Sequence, residues 1–358
     1  MPKRQINDIS IHLTYRCKYN CIFCDTRWLR RAPFLSSCCS EELSFQEIKK
    51  ILQDAKQCGV YSVNLTGGEP FLRKDIFDII SFCSELDLLL GINTRHTFTQ
   101  ADISRLVSFF KGDLFLSIDS HNSKTAERLA GRTGFFRSYV RGIGLLVKNA
   151  IPISTITVLN KLNVREIDKM LNFLCNEGIS SVYLRDMSLA SSCARSFRPA
   201  SMKDLQQLTL SPIEIEHVND ICRKWQTRFA FLDWPDVPTA DEATKPMNLK
   251  PRCSILKGEF NVRPDGKIVY CSLAHDLDIG DLRRQNFKSF LKSASFKRLI
   301  NPSRSAFKGT ECYNCNFFAL CNTVGRCYKR NFILHGDFFK PDDKLCSVLK
   351  ETNHHNAL

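Results

Sequence analysis

The chain has 358 residues, 43% of them hydrophobic and 25% charged, with a formal net charge of +14 and 17 cysteines. That is about two domains' worth of chain, enough to bury a core without disulfide staples. No stretch approaches the roughly 18 apolar residues of a membrane span, and Met1-Pro-Lys-Arg-Gln-Ile-Asn-Asp has no apolar run after its basic pair, so neither a membrane protein nor a secreted one is expected.

From residue 9 to about 187, strand and helix patterns alternate. Ile9–Thr14 is apolar-rich and β-branched. A cysteine-bearing loop follows, and then a helix opens at Ser44, where Ser44 and Glu47 have the spacing of a capping box. Strand Val60–Leu65, a Gly-Gly turn, helix Ile76–Leu86 and strand Leu88–Asn93 come next. Helix Ala101–Phe110 starts behind Thr99 and leads to strand Leu114–Ile118, then to a helix around Arg137–Asn149. Strand Ile153–Leu159, helix Val164–Glu177 capped by Asn163, and strand Ser181–Arg185 close the segment. Six strands separated by helices imply an α/β fold with parallel pairing and right-handed crossovers. Six units are too few for an eight-fold barrel, so the expectation is a partial (β/α)6 TIM-like barrel with its ligand at the C-terminal ends of the strands.

Beyond this the pattern changes. Ser188–Ser201 is loop-like, Pro212–Trp225 reads as a helix, and Asp233–Pro251 holds four prolines. Residues 191–250 are therefore read as a bridge between a barrel at 1–190 and a small cysteine-rich domain at 251–358. That last region contains a hairpin signal, Asp265-Gly266 within Asn261–Cys271, and short helices. No internal repeat or low-complexity tract is present, and the His354-His355 pair is given no role.

An odd cysteine count without an export signal argues for reduced thiols, metal sites or both. Lys and Arg are spread along the chain with no long basic run, so the charge reads as a solvated surface and no nucleic-acid partner is expected. The first cysteine group, Tyr15-Arg-Cys17-Lys-Tyr-Asn-Cys21-Ile-Phe-Cys24, follows directly on the first strand. A structural zinc site wants a fourth ligand at a fitting spacing, and none is near. Three thiolates on one loop can instead hold three irons of a [4Fe–4S] cluster and leave the fourth open.

Here the chain resembles the radical S-adenosylmethionine superfamily, which carries this C-x3-C-x2-C spacing with an aromatic residue, here Phe23, before the third cysteine. Thr66-Gly67-Gly68-Glu69-Pro70, at the end of the second strand, matches its second hallmark. The resemblance covers residues 9–187. It implies that Cys17, Cys21 and Cys24 bind the cluster, and that Phe23, Gly67, Gly68, Glu69, Pro70, Asn93, Ser117 and Asp119 meet S-adenosylmethionine. One departure is Asn93-Thr-Arg, where the superfamily usually has Thr-Asn-Gly. Arg128, Arg132 and Arg137 all remain open as partners of the cofactor's carboxylate. The implied chemistry is reductive cleavage of S-adenosylmethionine to a 5′-deoxyadenosyl radical, which takes a hydrogen atom from the substrate.

Cys253, Cys271, Cys312, Cys315, Cys321, Cys327 and Cys346 resemble the seven-cysteine SPASM extension of these enzymes. It binds two auxiliary [4Fe–4S] clusters, making three clusters in all. By that resemblance Cys253, Cys271 and Cys327 hold the first auxiliary cluster, and Cys312, Cys315, Cys321 and Cys346 ligate the second. The gap from Cys321 to Cys327 is five residues rather than the usual three, which Gly325 in the intervening loop can absorb. Seven thiolates leave the first auxiliary cluster one ligand short. Either an iron stays open, or one of Cys193, Cys222 and His275 completes it. The competing reading is a zinc ribbon from Cys312, Cys315, Cys321 and Cys327.

Of the other cysteines, Cys58, Cys83, Cys175 and Cys222 lie in helical patterns as small apolar residues. Cys38 and Cys39, in the loop Arg31–Ser40 just after the first cysteine group, and Cys193 in the bridge are read as plain loop thiols, with a catalytic or substrate-capturing thiol as the alternative. No catalytic residue is assigned. Asp186, Arg185 and His275 are equally open as general bases.

The same resemblance directs the substrate reading. Enzymes with both halves act mostly on ribosomally made precursor peptides, installing crosslinks or other oxidative changes. Ser272 stands where sulfatase-maturating members carry an Asp, which argues against that activity. The first strand begins at Ile9 with no winged-helix domain ahead of it, so leader recognition is expected from a separate protein or another surface. Flavodoxin or ferredoxin is the expected electron donor, and the cytoplasm the expected location. Two alternatives are a radical oxidoreductase on a small metabolite (sugar, aminocyclitol or cofactor precursor) and a non-catalytic metal-binding nucleic-acid protein.

Overall fold

The computed structural model describes residues 7–24, 41–187, 207–234, 258–271, 275, 278–300, 302–324, 331, 335–341 and 346. Cys38, Cys39, Cys193, Cys253, Ser272 and Cys327 lie outside them. Strand and helix alternate as β1 (Asp8–Thr14), α1 (Phe45–Gln57), β2 (Ser62–Gly67), α2 (Ile76–Glu85), β3 (Leu89–Thr94), α3 (Gln100–Phe109) and β4 (Gly112–Ser117). Helices α4 (Ser123–Ala130) and α5 (Phe136–Lys148) both precede β5 (Ile153–Leu159), and α6 (Ile167–Asn176) precedes β6 (Ser181–Asp186). Neighbouring strands β1 to β6 all pair in parallel.

The Ser44–Glu47 capping box acts as its spacing predicts, and a second one starts α3. The Ser44 side chain accepts from the Glu47 N–H while Glu47 reaches back to the Ser44 N–H at 2.8 Å, and Thr99 and Asp102 do the same for α3. Behind its cap, α1 buries Ile48, Ile51, Leu52 and Ala55 on one face. Full burial of each of the larger three is worth about 2 kcal/mol.

Within residues 9–187 two elements differ from expectation. Helix α4 was not anticipated, although its signals are local: Asn122 accepts from the N–H groups of Lys124 and Thr125, and Gly131 closes the helix at φ 58°. The expected helix from Val164 opens as a 3-10 turn at Val164–Glu166 and becomes α-helical only at Ile167. Asn163 stands at the N-cap of that turn but makes no side-chain cap bond. Its amide donates to the carbonyls of Asp119 and Val158, so it ties β4 to β5 instead.

The region read as a bridge contains α7 (Pro212–Trp225), started by a Ser211–Glu214 capping box, and a seventh parallel strand, β7 (Phe231–Asp233), beside β6. The hairpin β8 (Glu259–Val262) and β9 (Lys267–Val269) turns at Gly266, φ 85°. Strand β10 (Asp278–Asp281) pairs with β9, and β8 lies parallel to β1, which gives one sheet in the order β10-β9-β8-β1-β2-β3-β4-β5-β6-β7. Phe260 of β8 packs on Phe287 and Phe290 of α8 (Phe287–Lys292) and on Phe296 of α9 (Ala294–Ile300), with ring centroids 5.3 to 5.9 Å apart. Among the described residues no helix is long and apolar enough to cross a membrane.

The strands alternate by face. Ile9, Ile11, Val63, Leu65, Ile92, Leu114 and Leu116 are fully buried, while the opposite face carries Ser10, His12, Asn64, Thr66, Asn93, Asp113 and Ser117. Parallel strands packed on both sides read as continuous apolar runs, and a closed eight-stranded barrel fills its interior with branched apolar side chains. The polar inner face here instead lines cavities.

Candidate active site

At the C-terminal ends of the central strands lies a cavity of about 340 Å³. Cys17, Cys21 and Cys24 line it together with Phe23, and so do Gly67, Gly68 and Glu69. Asn93 at the end of β3 and Ser117 at the end of β4 complete the sequence-expected residues that it gathers. Pro70 is buried behind this wall, where it starts a 3-10 turn, Pro70–Leu72.

The cysteine loop is held by α4. The N–H groups of Asn20 and Ile22 donate to the carbonyls of Ala130 and Leu129 at 2.9 and 3.0 Å. Gly131 permits this approach, because a Cβ there would lie 2.4 Å from the Asn20 carbonyl oxygen. The Tyr19 N–H points at Cys17 Sγ at 3.4 Å, and the Tyr19 hydroxyl donates to the Arg95 carbonyl at 3.0 Å.

The Gly-Gly-Glu turn is fixed as tightly. The Gly68 and Glu69 N–H groups donate to the carbonyls of Thr14 and Arg16, at 2.6 and 2.9 Å. A Cβ at Gly67 would fall 2.3 Å from Thr14 O, and one at Gly68 2.2 Å from Arg16 O. Glycine is therefore required for the turn to lie against the cluster loop. Glu69 is 2% exposed, and its carboxylate accepts from the Thr94 hydroxyl at 2.6 Å and from the N–H groups of Arg95 and Phe71 at 2.9 and 3.2 Å. Burial outweighs these bonds and raises its pKa.

Arg95 is the buried cation that the sequence reading missed. It lines the cavity, and its guanidinium meets Asp119 at 2.5 Å, with side-chain exposures of 7% and 1%. Burial opposes its charge, but Asp119 prevails and holds its pKa up. Burial pushes the Cys21 thiol up, and Arg95 draws it back toward the thiolate. Asp119 itself lies behind Arg95, where its other oxygen accepts from the Val158 N–H at 3.0 Å. Arg128, Arg132 and Arg137 are all exposed, and of the three only Arg132 approaches the site, 5.2 Å over the Tyr19 ring. The signal for Arg95 was its place directly after β3, in the Asn93-Thr-Arg departure.

Of the open general bases, Asp186 lines the cavity. Arg185 pairs with Asp233 at 2.7 Å. His275 is buried, with Nδ1 2.7 Å from the Tyr15 hydroxyl.

Three thiols of one loop facing a single cavity, with a cation behind them, suit a cluster with one open iron. Among the described residues no three Cys, His, Asp or Glu side chains converge on a single-ion site. In the C-terminal region Cys312 sits in the 3-10 turn Glu311–Asn314 and Cys321 in α10 (Phe318–Val324), both buried. Arg304 fixes the turn by donating to the carbonyls of Tyr313 and Cys315, at 3.0 and 3.2 Å. Cys271 lies two residues beyond the end of β9, and Cys346 is partly buried. Cys222 lies on α7, partly buried against the core.

The family model of the radical SAM superfamily matches residues 11–174, and that of the SPASM iron–sulfur cluster-binding domain matches 253–316. A PqqA peptide cyclase from Methylocella silvestris is 22% identical over 99% of this chain and 94% of its own. A probable GTP 3′,8-cyclase from Methanothermobacter thermautotrophicus is 25% identical over 84% and 96%. In structure, Streptococcus suis SuiB bound to its precursor peptide SuiA superposes with a TM-score of 0.70 at 17% identity, covering 96% of this chain and 76% of SuiB.

Proposed function

Because the chain belongs to the radical SAM superfamily and carries a SPASM iron–sulfur domain, we propose that it is a peptide maturase that oxidatively modifies a ribosomally made precursor peptide. The single observation that carries this reading is the cavity into which the three thiols of Cys17, Cys21 and Cys24 and the Gly67-Gly68-Glu69 turn open together. With cluster and S-adenosylmethionine bound, that site supplies the radical that removes a hydrogen atom from the substrate. The chain's own residues bind and orient. The Gly67-Gly68 turn would hold the cofactor's ammonium group and Asn93 and Ser117 its polar edges, while Arg95 with Asp119 fixes the wall behind the thiols. Phe23 and Met187 are apolar parts of the cavity lining that would help to exclude water.

Cys253, Cys271 and Cys327 hold a first auxiliary cluster in this reading, and Cys312, Cys315, Cys321 and Cys346 a second, giving three [4Fe–4S] clusters. Flavodoxin or ferredoxin delivers the electron in this reading, and the reducing cytoplasm keeps the thiols available. The peptide cyclase and the SuiB–SuiA complex, both similar over nearly all of this chain, support a peptide substrate. The likeness to a GTP cyclase favours a second reading, a small metabolite in the same site.

The test is incubation of anaerobically iron-loaded enzyme with S-adenosylmethionine, dithionite and a candidate precursor peptide, followed by mass analysis. A loss of two hydrogens per crosslink is expected. An unchanged peptide, with GTP or a sugar consumed under the same conditions, would establish the second reading instead.

A further inference from the structure

Below the cofactor cavity the polar inner face opens into a larger space of about 790 Å³, and Asn93 lines both. One layer of this lower lumen is set by strand register, since Asn64 of β2 faces Gly91 of β3 and Gly91 faces Asp113 of β4. Gly91 has no side chain to fill the gap. A Cβ there would sit 3.0 Å from the Phe115 ring and 3.2 Å from Asn64 Oδ1. Asn64 Oδ1 and Asp113 Oδ1 are both buried without a hydrogen-bond partner among the described residues. The other Asp113 oxygen accepts from the Ser154 hydroxyl.

No cation pairs with Asp113 among the described residues. Arg185 is committed to Asp233, and Lys111 is exposed at the rim. Burial accordingly raises the Asp113 pKa with no positive charge to oppose it. Phe115 and Tyr183 meet edge to face at 5.6 Å and form an aromatic wall beside the carboxylate. Two unpartnered acceptors, one of them a carboxylate, next to aromatic rings form a receptor for an ammonium or guanidinium group. A neutral donor would leave the buried charge uncompensated.

We propose that this lower lumen is a specificity pocket for a cationic substrate side chain, lysine or arginine, whose head is gripped by Asp113 and Asn64 across Gly91. The methylene stem runs along Phe115 and Tyr183. The pocket lies about 13 Å down β4 from Ser117, four residues at strand rise, so an anchored side chain fixes which carbon of the peptide reaches the cofactor. This rests on the peptide-maturase reading. It is also opposite in sign to the molecule's basic surface, so cation selection has to come from local contacts.

The probes are hexylamine and agmatine, with hexan-1-ol and hexanoate as neutral and anionic counterparts, titrated calorimetrically into the iron-loaded full chain with S-adenosylmethionine bound. Both amines are expected to bind at least tenfold more tightly than the alcohol or the acid. Asp113→Asn should weaken them at least tenfold and Asn64→Leu severalfold, in preparations whose iron content and melting temperature match the parent. Absence of amine binding, equal binding of hexanoate, or unchanged amine affinity in both variants would overturn the proposal. If Asp113→Asn fails to fold, the amine preference of the parent and the Asn64→Leu result decide it. Release of 5′-deoxyadenosine by the parent protein is scored separately. Amine binding without that release sinks the enzymatic reading alone, and release without amine binding sinks the pocket alone.

Discussion

Arg95 and Asp119 form a nearly dry ion pair behind the cysteine loop, and its worth is asymmetric. Removing one partner strands the other's charge in the interior, at about 3–5 kcal/mol, whereas replacing both with apolar groups is far milder. Arg95→Leu should therefore lower the melting temperature sharply, and Arg95→Leu with Asp119→Leu should recover much of the loss. A double variant no more stable than the single one would contradict this account of the pair. His12 makes a second residue-scale case. It is buried against His275 at 4.6 Å, both its ring nitrogens lack partners among the described residues, and burial lowers its pKa to about 4. The folded protein keeps it neutral while the unfolded chain protonates it near 6.5. Its contribution is thus complete above pH 6.5 and is lost as pH falls toward 4, to a total of about 3 kcal/mol. A His12→Leu variant should show a flatter dependence of melting temperature on pH across that window, and parallel curves would refute the assignment.

Among the elements, the Gly67-Gly68-Glu69 turn carries the tightest constraint. Gly68→Ala would drive a Cβ into the backbone of Arg16 and Tyr15, so it should displace the cysteine loop and cost the protein the irons of its first cluster. Gly144 in α5 has nothing within 4 Å of an added Cβ, so Gly144→Ala should leave iron content intact and gain about 0.5–1 kcal/mol of helix stability. Iron analysis and melting of the two variants check both outcomes. This turn and the cysteine loop were legible because their function is written in contiguous residues. The capping box of α1 and the start of α3 behind Thr99 could be read from the sequence in the same way. Helix α4 went unread although Asn122 and Gly131 bracket it, because its eight residues are too short to establish a helical period. Strand β7, three residues long, has too little pattern to announce itself, and only its pairing with β6 defines it. Arg95 could not be chosen over Arg128, Arg132 and Arg137, since burial is a property of the packed whole.

At the scale of the whole molecule, one sheet joins the two family regions. Strand β8 of the C-terminal region pairs with β1, whose end launches the cysteine loop, and Cys271 follows β9 of the same hairpin. Arg283 reinforces this junction by bonding Glu47 of α1 at 2.9 Å, as does the Leu43 N–H by donating to the Pro264 carbonyl at 2.6 Å. The backbone that carries Cys271 is thereby fixed relative to the barrel. The central claim, that Cys17, Cys21 and Cys24 together hold the iron that binds and cleaves S-adenosylmethionine, is tested most directly by one measurement. It is the yield of 5′-deoxyadenosine from anaerobically reconstituted protein under dithionite, compared with a Cys17→Ala, Cys21→Ala, Cys24→Ala variant that keeps every C-terminal cysteine. The account predicts release from the parent protein and none from the variant, which should still retain the iron of its auxiliary sites. Equal release from both, or none from fully iron-loaded parent protein, would contradict it.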